Sequence, residues 1–173
     1  MSSLDEHKVG DGGEHAFTAF LLTQIGALVS LEFGERIAKF DLVPQHAGIV
    51  RMLRIDPGLS QRALAERMGM LPSRLVALVD VLEEKGLVER RQDPDDRRTH
   101  ALHLTEMGWE VAQTISRIGM EVDSEVCAAL STEEKAQLTG FLARIADQQG
   151  LTPGVHPGYS YKDRQRPENS SGE

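Results

Sequence analysis

The segment spanning residues 60–85 constrains the fold of this chain more than any other part of the sequence. It contains two stretches with helical periodicity, residues 60–68 and 72–85, separated by Gly69. Ala65 supplies the small side chain that two short helices need where they cross steeply, and the glycine allows the turn between them. This pattern predicts a helix-turn-helix, and a plain helical hairpin within a core is the alternative. The apolar residues expected to face inward are Leu64, Met68, Met70, Leu75 and Leu78.

A polar hairpin is predicted directly after Gly86. Residues 87–91 and the alternating Leu102 and Leu104 predict two short strands. Their connection, residues 92–98, is polar throughout, and a charged hairpin beside a helix-turn-helix predicts a wing. A solvated loop is the alternative interpretation, because runs of charge usually face water. The charged residues at the tip are Asp93, Asp95, Asp96, Arg97 and Arg98.

Longer amphipathic helices are predicted on both sides of this centre. Apolar residues recur at three- and four-residue steps through residues 14–40, and Pro44 suits the first turn of a second helix. Thr105 is placed to cap a further helix, while Ser131 and Glu134 have the spacing of a capping box that begins the last one. The predicted fold class is therefore mainly α with a small β wing, with helices at both ends of the winged centre.

The chain divides into one predicted domain and two tails. A length of 173 residues leaves room for one domain, which we place at residues 14–149. Residues 1–13 and 150–173 lack a helical period and are expected to be flexible. The flanking segments 14–40 and 106–149 carry more apolar surface than the centre can cover. We therefore expect these two segments to form a helical dimer interface.

Composition excludes some classes of protein and localises the charge. No apolar run approaches the roughly 20 residues that span a bilayer, and one cysteine forms no internal disulfide, so we expect a cytoplasmic protein without a membrane span. The formal net charge is -8, yet residues 60–105 hold eight basic and eight acidic residues. The flanks should therefore repel phosphate, whereas the centre can tolerate it.

The centre resembles the multiple-antibiotic-resistance regulator (MarR) family. Residues 72–76, PSRLV, and 82–90, LEEKGLVER, are similar to the recognition helix and first wing strand of that family. The resemblance implies a homodimeric winged helix-turn-helix regulator with its DNA-binding core at residues 60–105, usually a repressor of an inverted-repeat operator in double-stranded DNA. It also implies release by a small phenolic or lipophilic effector or by an oxidant. The wing match, at the family's D-x-R and L-T-x-x-G spacing, comprises Asp96, Arg98, Leu104, Thr105 and Gly108.

The resemblance also implies roles for individual residues. Ser73 and Arg74, on the first turn of the recognition helix, are expected to reach major-groove base edges and phosphates. Arg98 is expected to enter the minor groove, where a narrow A·T tract deepens the negative potential, with Asp96 orienting it. The complete set of expected DNA-binding residues is Ser60, Ser73, Arg74, Arg97 and Arg98.

An effector pocket is expected where the first two helices approach the helix-turn-helix. The resemblance gives this general place, and the sequence does not name the ligand. The candidate pocket residues are His15, Phe17, Phe20, His46 and Met52.

Cys127 is expected to be an inert core thiol, because the peroxide sensors of the family carry their reactive cysteine near the first helix.

Two alternatives to a ligand-responsive DNA-binding regulator remain open. Ala77 and Val81 stand where relatives often carry arginine or another polar residue, which favours a helical interaction protein that keeps the winged fold without binding DNA. A metal-sensing regulator is the other alternative, although His100 and His103 should face opposite sides of a strand. The sequence contains no phosphate-binding glycine loop, G-x-S-x-G or H-E-x-x-H motif, so we expect neither catalysis nor a cofactor.

Overall fold

The computed structural model describes residues 17–92 and 100–159. These residues form a mainly helical fold with one antiparallel hairpin, which confirms the predicted fold class. The elements are α1 (Thr18–Ala38), α2 (Pro44–Ile55), α3 (Gln61–Met68), α4 (Pro72–Glu84), β1 (Val88–Gln92), β2 (His100–Leu104), α5 (Glu106–Val126), α6 (Thr132–Gln148) and a short 3-10 helix, Pro157–Tyr159. The predictions for residues 1–13, His15, Asp96, Arg97, Arg98 and 160–173 lie outside the described residues.

The turn between α3 and α4 follows from local chemistry. The Ser60 side-chain oxygen accepts a hydrogen bond from the backbone N–H of Ala63 at 3.2 Å and caps α3. Gly69 ends α3 with a φ of 61°, a left-handed conformation that glycine adopts without steric penalty. Pro72 then begins α4, whose buried residues are Leu75, Val79 and Leu82.

The hairpin is tied to the helix-turn-helix at its base. Strands β1 and β2 pair in antiparallel register from Val88 opposite Leu104 to Gln92 opposite His100. The loop before α3 adds to this pairing, because the Leu102 N–H donates to the Leu59 carbonyl at 2.9 Å. The hairpin is therefore anchored to the start of α3 as well as to the end of α4.

One apolar core joins the helix-turn-helix, the hairpin, α2 and α5, and it extends to Ile37 near the end of α1. Much of α1 and all of α6 lie outside this core, and α6 has no buried residue in the single chain. The largest fully buried side chains include Ile37, Ile49, Leu53, Leu64, Leu75, Leu82 and Leu102. The exposed apolar side chains of α1 and α6 include Phe20, Leu21, Ile25, Leu28, Leu138, Phe141, Leu142 and Ile145.

The chain after α6 differs from the flexible tail that the sequence predicts. Residues 151–159 fold back onto the domain, and the partly buried side chain of Tyr159 packs against the core. Arg51 of α2 donates a hydrogen bond to the Gly154 carbonyl at 2.6 Å. The prolines and glycines of this segment explain why its sequence shows no helical periodicity. They are compatible with a turn that packs on the surface of the domain.

Candidate nucleic-acid interface

The first turn of α4 presents its backbone and two polar side chains to solvent. Pro72 occupies the first helical position, where a missing N–H does no harm. Ser73 and Arg74 follow it, and both are exposed. No side chain among the described residues caps this end of α4. The Arg74 backbone N–H donates to the Leu71 carbonyl at 3.0 Å. The groups that this turn presents to a phosphate or a base edge are therefore the exposed side chains of Ser73 and Arg74 and the positive end of the helix dipole.

Most basic residues near α4 are neutralised by carboxylates of the same chain. Of the described basic residues between positions 60 and 105, Arg74 alone has no ion-pair partner. The positive charge that the described part of this centre leaves free is therefore concentrated on the first turn of α4. The ion pairs are Arg62 with Glu66, Arg67 with Asp56, Lys85 with Asp41, Arg90 with both Asp80 and Glu83, and Arg91 with Glu89.

Arg90 fixes the wing strand to α4. Its guanidinium, on β1, contacts the carboxylates of Asp80 and Glu83 on the helix. The Arg90 side chain is only 22% exposed, so these pairs are better shielded from water than ordinary surface pairs. Sequence reasoning counted Arg90 only as a positive charge and missed this role, because the pairing depends on how β1 crosses α4.

The two apolar departures from the family pattern, Ala77 and Val81, are four residues apart and lie next to each other on one side of α4. Ala77 is exposed. Val81 is half-buried and lines a cavity of about 670 Å³ together with His46 and Lys85, beside the turn between α1 and α2. Arg74 precedes Ala77 by three residues on the same side of the helix, so this side is polar at its first turn and apolar beyond it.

Ser60 lies at the base of the hairpin and not on an open surface. It is half-buried, and it forms a bridge with Ala101 of β2 in addition to capping α3. These contacts are those of a structural cap. A phosphate contact at Ser60 stays a prediction.

Thr105 joins the winged centre to α5. Its hydroxyl donates to the Gly86 carbonyl at 2.6 Å and accepts from the Gly108 N–H at 3.0 Å. Its backbone N–H donates to the Leu87 carbonyl at 3.1 Å. Gly108 is buried against Leu87, the residue before β1, and an added Cβ would lie 2.0 Å from the Leu87 carbonyl oxygen. The L-T-x-x-G motif is thus a tight connection between the hairpin and the long helix.

The described candidates for the effector pocket do not come together. Phe17 and Phe20 are 76% and 56% exposed at the start of α1. His46 is buried at the start of α2, where its Nδ1 accepts from the Val43 N–H at 3.3 Å. Burial lowers the pKa of this imidazole, so its neutral form is favoured. Met52 lines a different groove. His46 and Met52 thus line two different cavities of α2, and the exposed Phe17 and Phe20 lie at the start of α1.

An apolar cleft lies instead between α1, α2 and α5. Its volume is about 420 Å³, which suits a small aromatic molecule. Arg51 is the cation of its wall, and the folded-back segment supplies His156 and Tyr159. Sequence reasoning missed this site, because its wall combines residues of α1, α2 and α5 with residues that follow α6. Its apolar lining includes Val29, Phe33, Pro44, Ala47 and Ile115.

A second apolar groove separates α1 from α5 and α6. Its volume is about 540 Å³, and Leu22, Ile25, Leu138 and Leu142 are among its lining residues. Cys127 also lines this groove and is half-buried in the single chain, and the inertness of its thiol stays a prediction. The groove is continuous with the exposed apolar side chains of α1 and α6.

The described part of the chain holds neither a cluster of metal-ligating side chains nor a membrane-spanning helix. No three His, Cys, Asp or Glu residues of ranges 17–92 and 100–159 are grouped so that they could hold a metal ion. No helix in those ranges is long and apolar enough to cross a membrane.

Comparison with known sequences identifies relatives of this chain. The sequence pattern of the MarR family matches residues 40–99. A putative transcriptional regulatory protein for the hcr operon of Thauera aromatica is 38% identical over 112 residues, which cover 65% of this chain and 68% of that protein. The transcriptional regulator HosA of Escherichia coli O111:H- is 35% identical over 92 residues, covering 53% of this chain and 67% of the relative.

Solved structures share the fold. The PcaV transcriptional regulator from Streptomyces coelicolor superimposes with a TM-score of 0.63 at 25% identity, covering 78% of this chain and 99% of that one. A Mycobacterium tuberculosis MarR family protein, Rv2887, solved in complex with DNA, gives a TM-score of 0.65 at 24% identity, covering 76% and 98% of the two chains. The Thauera aromatica relative is 38% identical over two thirds of its length and the family pattern covers the helix-turn-helix and β1, and on this evidence the chain belongs to the MarR family.

Proposed function

We propose that this protein is a DNA-binding transcriptional regulator that acts in the cytoplasm as a homodimeric, ligand-responsive repressor of an inverted-repeat operator. The observation that carries the proposal is the first turn of α4, where Arg74 is exposed and has no ion-pair partner among the described residues. Arginine is the side chain that most often reads guanine in the major groove, because its planar guanidinium donates to two acceptors at once.

The charge distribution supports sequence-specific binding over indiscriminate adhesion. A chain with a net charge of -8 is repelled by the duplex as a whole. The described cations around α4 are held in ion pairs, except Arg74. Favourable contact with DNA therefore depends on placing the first turn of α4 correctly, together with the predicted wing residues Arg97 and Arg98.

The exposed apolar stripes of α1 and α6 support the homodimer. They include Phe20, Ile25, Phe141 and Ile145, which are between 41% and 57% exposed in the single chain. A contiguous apolar surface of this kind is unfavourable in water and is normally covered by a partner. A twofold dimer places one α4 from each protomer on the DNA, so the two half-sites should lie about 10 bp apart.

The cleft between α1, α2 and α5 supports the ligand response. It is lined mainly by apolar side chains, with Arg51 as its cation. Such a wall fits a small phenolic or lipophilic effector, and an acidic group on the effector could pair with Arg51. The cleft is bounded by α1, α2 and α5, and α2 packs against α4 and β2 of the winged centre. A ligand there is placed to alter how the winged centre sits on α5.

The function is tested by selecting bound fragments from random DNA and then comparing variants on the selected site and on a random duplex. Arg74→Ala should weaken binding to the selected site by about 1–3 kcal/mol, because a base contact of that size is lost. Arg117→Ala is the matched control, since Arg117 lies on α5 and pairs with Glu121. Footprinting of the wild-type complex should show two protected half-sites.

Three outcomes of this experiment are decisive. If Arg74→Ala keeps both affinity and preference while remaining dimeric, α4 is not the reading helix. If the wild type selects no DNA at all, the alternative of a winged interaction protein replaces the proposal. If binding appears only with an added divalent metal ion, the metal-sensing alternative replaces the ligand response.

A further inference from the structure

The segment after α6 is a docked strap, which we define as residues 151–159. Gly150 reverses the chain with a φ of 64°. The strap then crosses α2, and Arg51 donates its Nη1 proton to the Gly154 carbonyl at 2.6 Å. Gly154 itself has a φ of 73°, and an added Cβ would lie 2.6 Å from that same Nη1 atom. The left-handed conformation therefore favours glycine at this position, and a side chain there would displace the end of Arg51 from the contact.

Tyr159 anchors the far end of the strap. Its ring lies over Gly48 of α2, where an added Cβ would be 3.2 Å from a ring carbon and 3.1 Å from the Met68 methyl group. The ring packs against the core, and burial raises the pKa of the phenol. His156 lies beside it with a ring-to-ring distance of 5.0 Å. The strap thus reaches the back of α3, the first helix of the helix-turn-helix.

The strap and the apolar cleft share residues. Gly154, His156 and Tyr159 all line the cleft between α1, α2 and α5. Arg51, the cation of that cleft, is engaged by the strap carbonyl. A molecule bound in the cleft therefore meets the strap as part of the wall and competes with it for Arg51.

We propose that the strap is a built-in gate of this cleft, and that an aromatic carboxylate releases it by taking Arg51 from the Gly154 carbonyl. This inference rests on the proposed effector cleft. A hydrogen bond from a guanidinium to a carboxylate is stronger than one to a neutral carbonyl, and the carboxylate can accept two donors at once. Loss of the Arg51 contact leaves Tyr159 as the remaining anchor, so binding in the cleft loosens the contact of the strap with α2 and α3.

Docking is tested first, without any ligand, by fluorine NMR of the full chain labelled with 3-fluorotyrosine. The chain has two tyrosines, Tyr159 and Tyr161, and Tyr161→Phe assigns the signals. The docked Tyr159 should titrate at higher pH than free 3-fluorotyrosine. Gly154→Ala should move its titration toward the free value, because alanine is strained at the left-handed backbone conformation of residue 154 and its methyl group displaces the end of the Arg51 side chain, which loosens the strap. Gly140→Ala, with nothing within 4 Å of its Cβ position, is the control and should change neither signal.

Release is tested by adding benzoate as the probe, with its binding followed independently by saturation transfer to the benzoate protons. Saturable benzoate binding should move the Tyr159 signal toward its position in Gly154→Ala, and that variant should bind benzoate several-fold more tightly. Arg51→Gln should abolish the response. If benzoate binds without moving the Tyr159 signal, the proposal that the strap is a gate is refuted and the proposed effector cleft stands. If benzoate does not bind, both the gate and the effector cleft are refuted. The DNA experiment with Arg74→Ala is unaffected by either result.

Discussion

Replacing Gly108 by alanine tests the connection between the hairpin and α5. The new Cβ would lie 2.0 Å from the Leu87 carbonyl oxygen, so the two atoms must separate by about 1 Å or more. The atom in the way is backbone and cannot rotate aside. Overpacking of this kind costs about 1–3 kcal/mol, and moving α5 away stretches the hydrogen bond from Thr105 to Leu87, worth about 1 kcal/mol. The better helix propensity of alanine offsets less than about 1 kcal/mol. We expect a net destabilisation of about 2 kcal/mol.

The measurement is urea unfolding followed by circular dichroism at a fixed protein concentration, because the stability of a dimer depends on concentration. Gly140→Ala is the matched control. It makes the same chemical change in a helix where nothing lies within 4 Å, so it should stabilise the protein by up to about 1 kcal/mol. If Gly108→Ala is as stable as the wild type, the close packing of Leu87 on α5 is not a feature of the protein in solution.

Three further predictions concern pH, assembly and the wing. Burial lowers the pKa of His46 below its ordinary value of 6.5, so the unfolded chain binds the proton more readily than the folded chain, and the free energy of unfolding should fall as the pH drops below about 6.5. Urea unfolding between pH 7.5 and 5.5 should show a smaller loss of stability for His46→Gln, because glutamine keeps a capping acceptor at that position. Phe141→Asp should convert a dimer to a monomer in sedimentation velocity at micromolar concentration, and a monomeric wild type would contradict the proposed interface. Arg98→Ala should weaken binding to operators with A·T-rich flanks by about 1–3 kcal/mol and to G·C-rich flanks less, whereas equal losses on both would remove Arg98 from the minor groove.

The starts of α3, α5 and α6 could be predicted because short-range chemistry sets them. Ser60 accepts from the N–H three residues later, Thr105 does the same, and Ser131 and Glu134 form the predicted capping box. These bonds involve neighbours in sequence, so their spacing is visible without a structure. The wing strands were recognised for a similar reason, because Leu102 and Leu104 alternate and both are buried.

The contacts that could not be predicted join residues far apart in the chain. The pairing of Arg51 with Gly154 spans 103 positions, and no local pattern marks either residue as a partner. Arg90 looked like a free cation because the carboxylates that neutralise it belong to α4. The surroundings of the effector candidates depend on tertiary packing in the same way: Phe17 and Phe20 have the spacing of a core face, yet both are exposed in the single chain.

The Thr105 connection couples the tilt of α5 to the position of α4. This helix has 21 residues, so it is about 31 Å long at 1.5 Å per residue. Two hydrogen bonds from Thr105 join the start of this helix to Gly86 and Leu87, just after the end of α4, and a third, from the Gly108 N–H to the Thr105 hydroxyl, ties Thr105 to the first turn of α5. A rotation of α5 by 5° about its Val126 end therefore carries its first turn, and the attached end of α4, through about 3 Å. That displacement is close to the 3.4 Å rise of one DNA base pair, so a tilt of a few degrees is enough to change the register of the proposed reading helix on DNA.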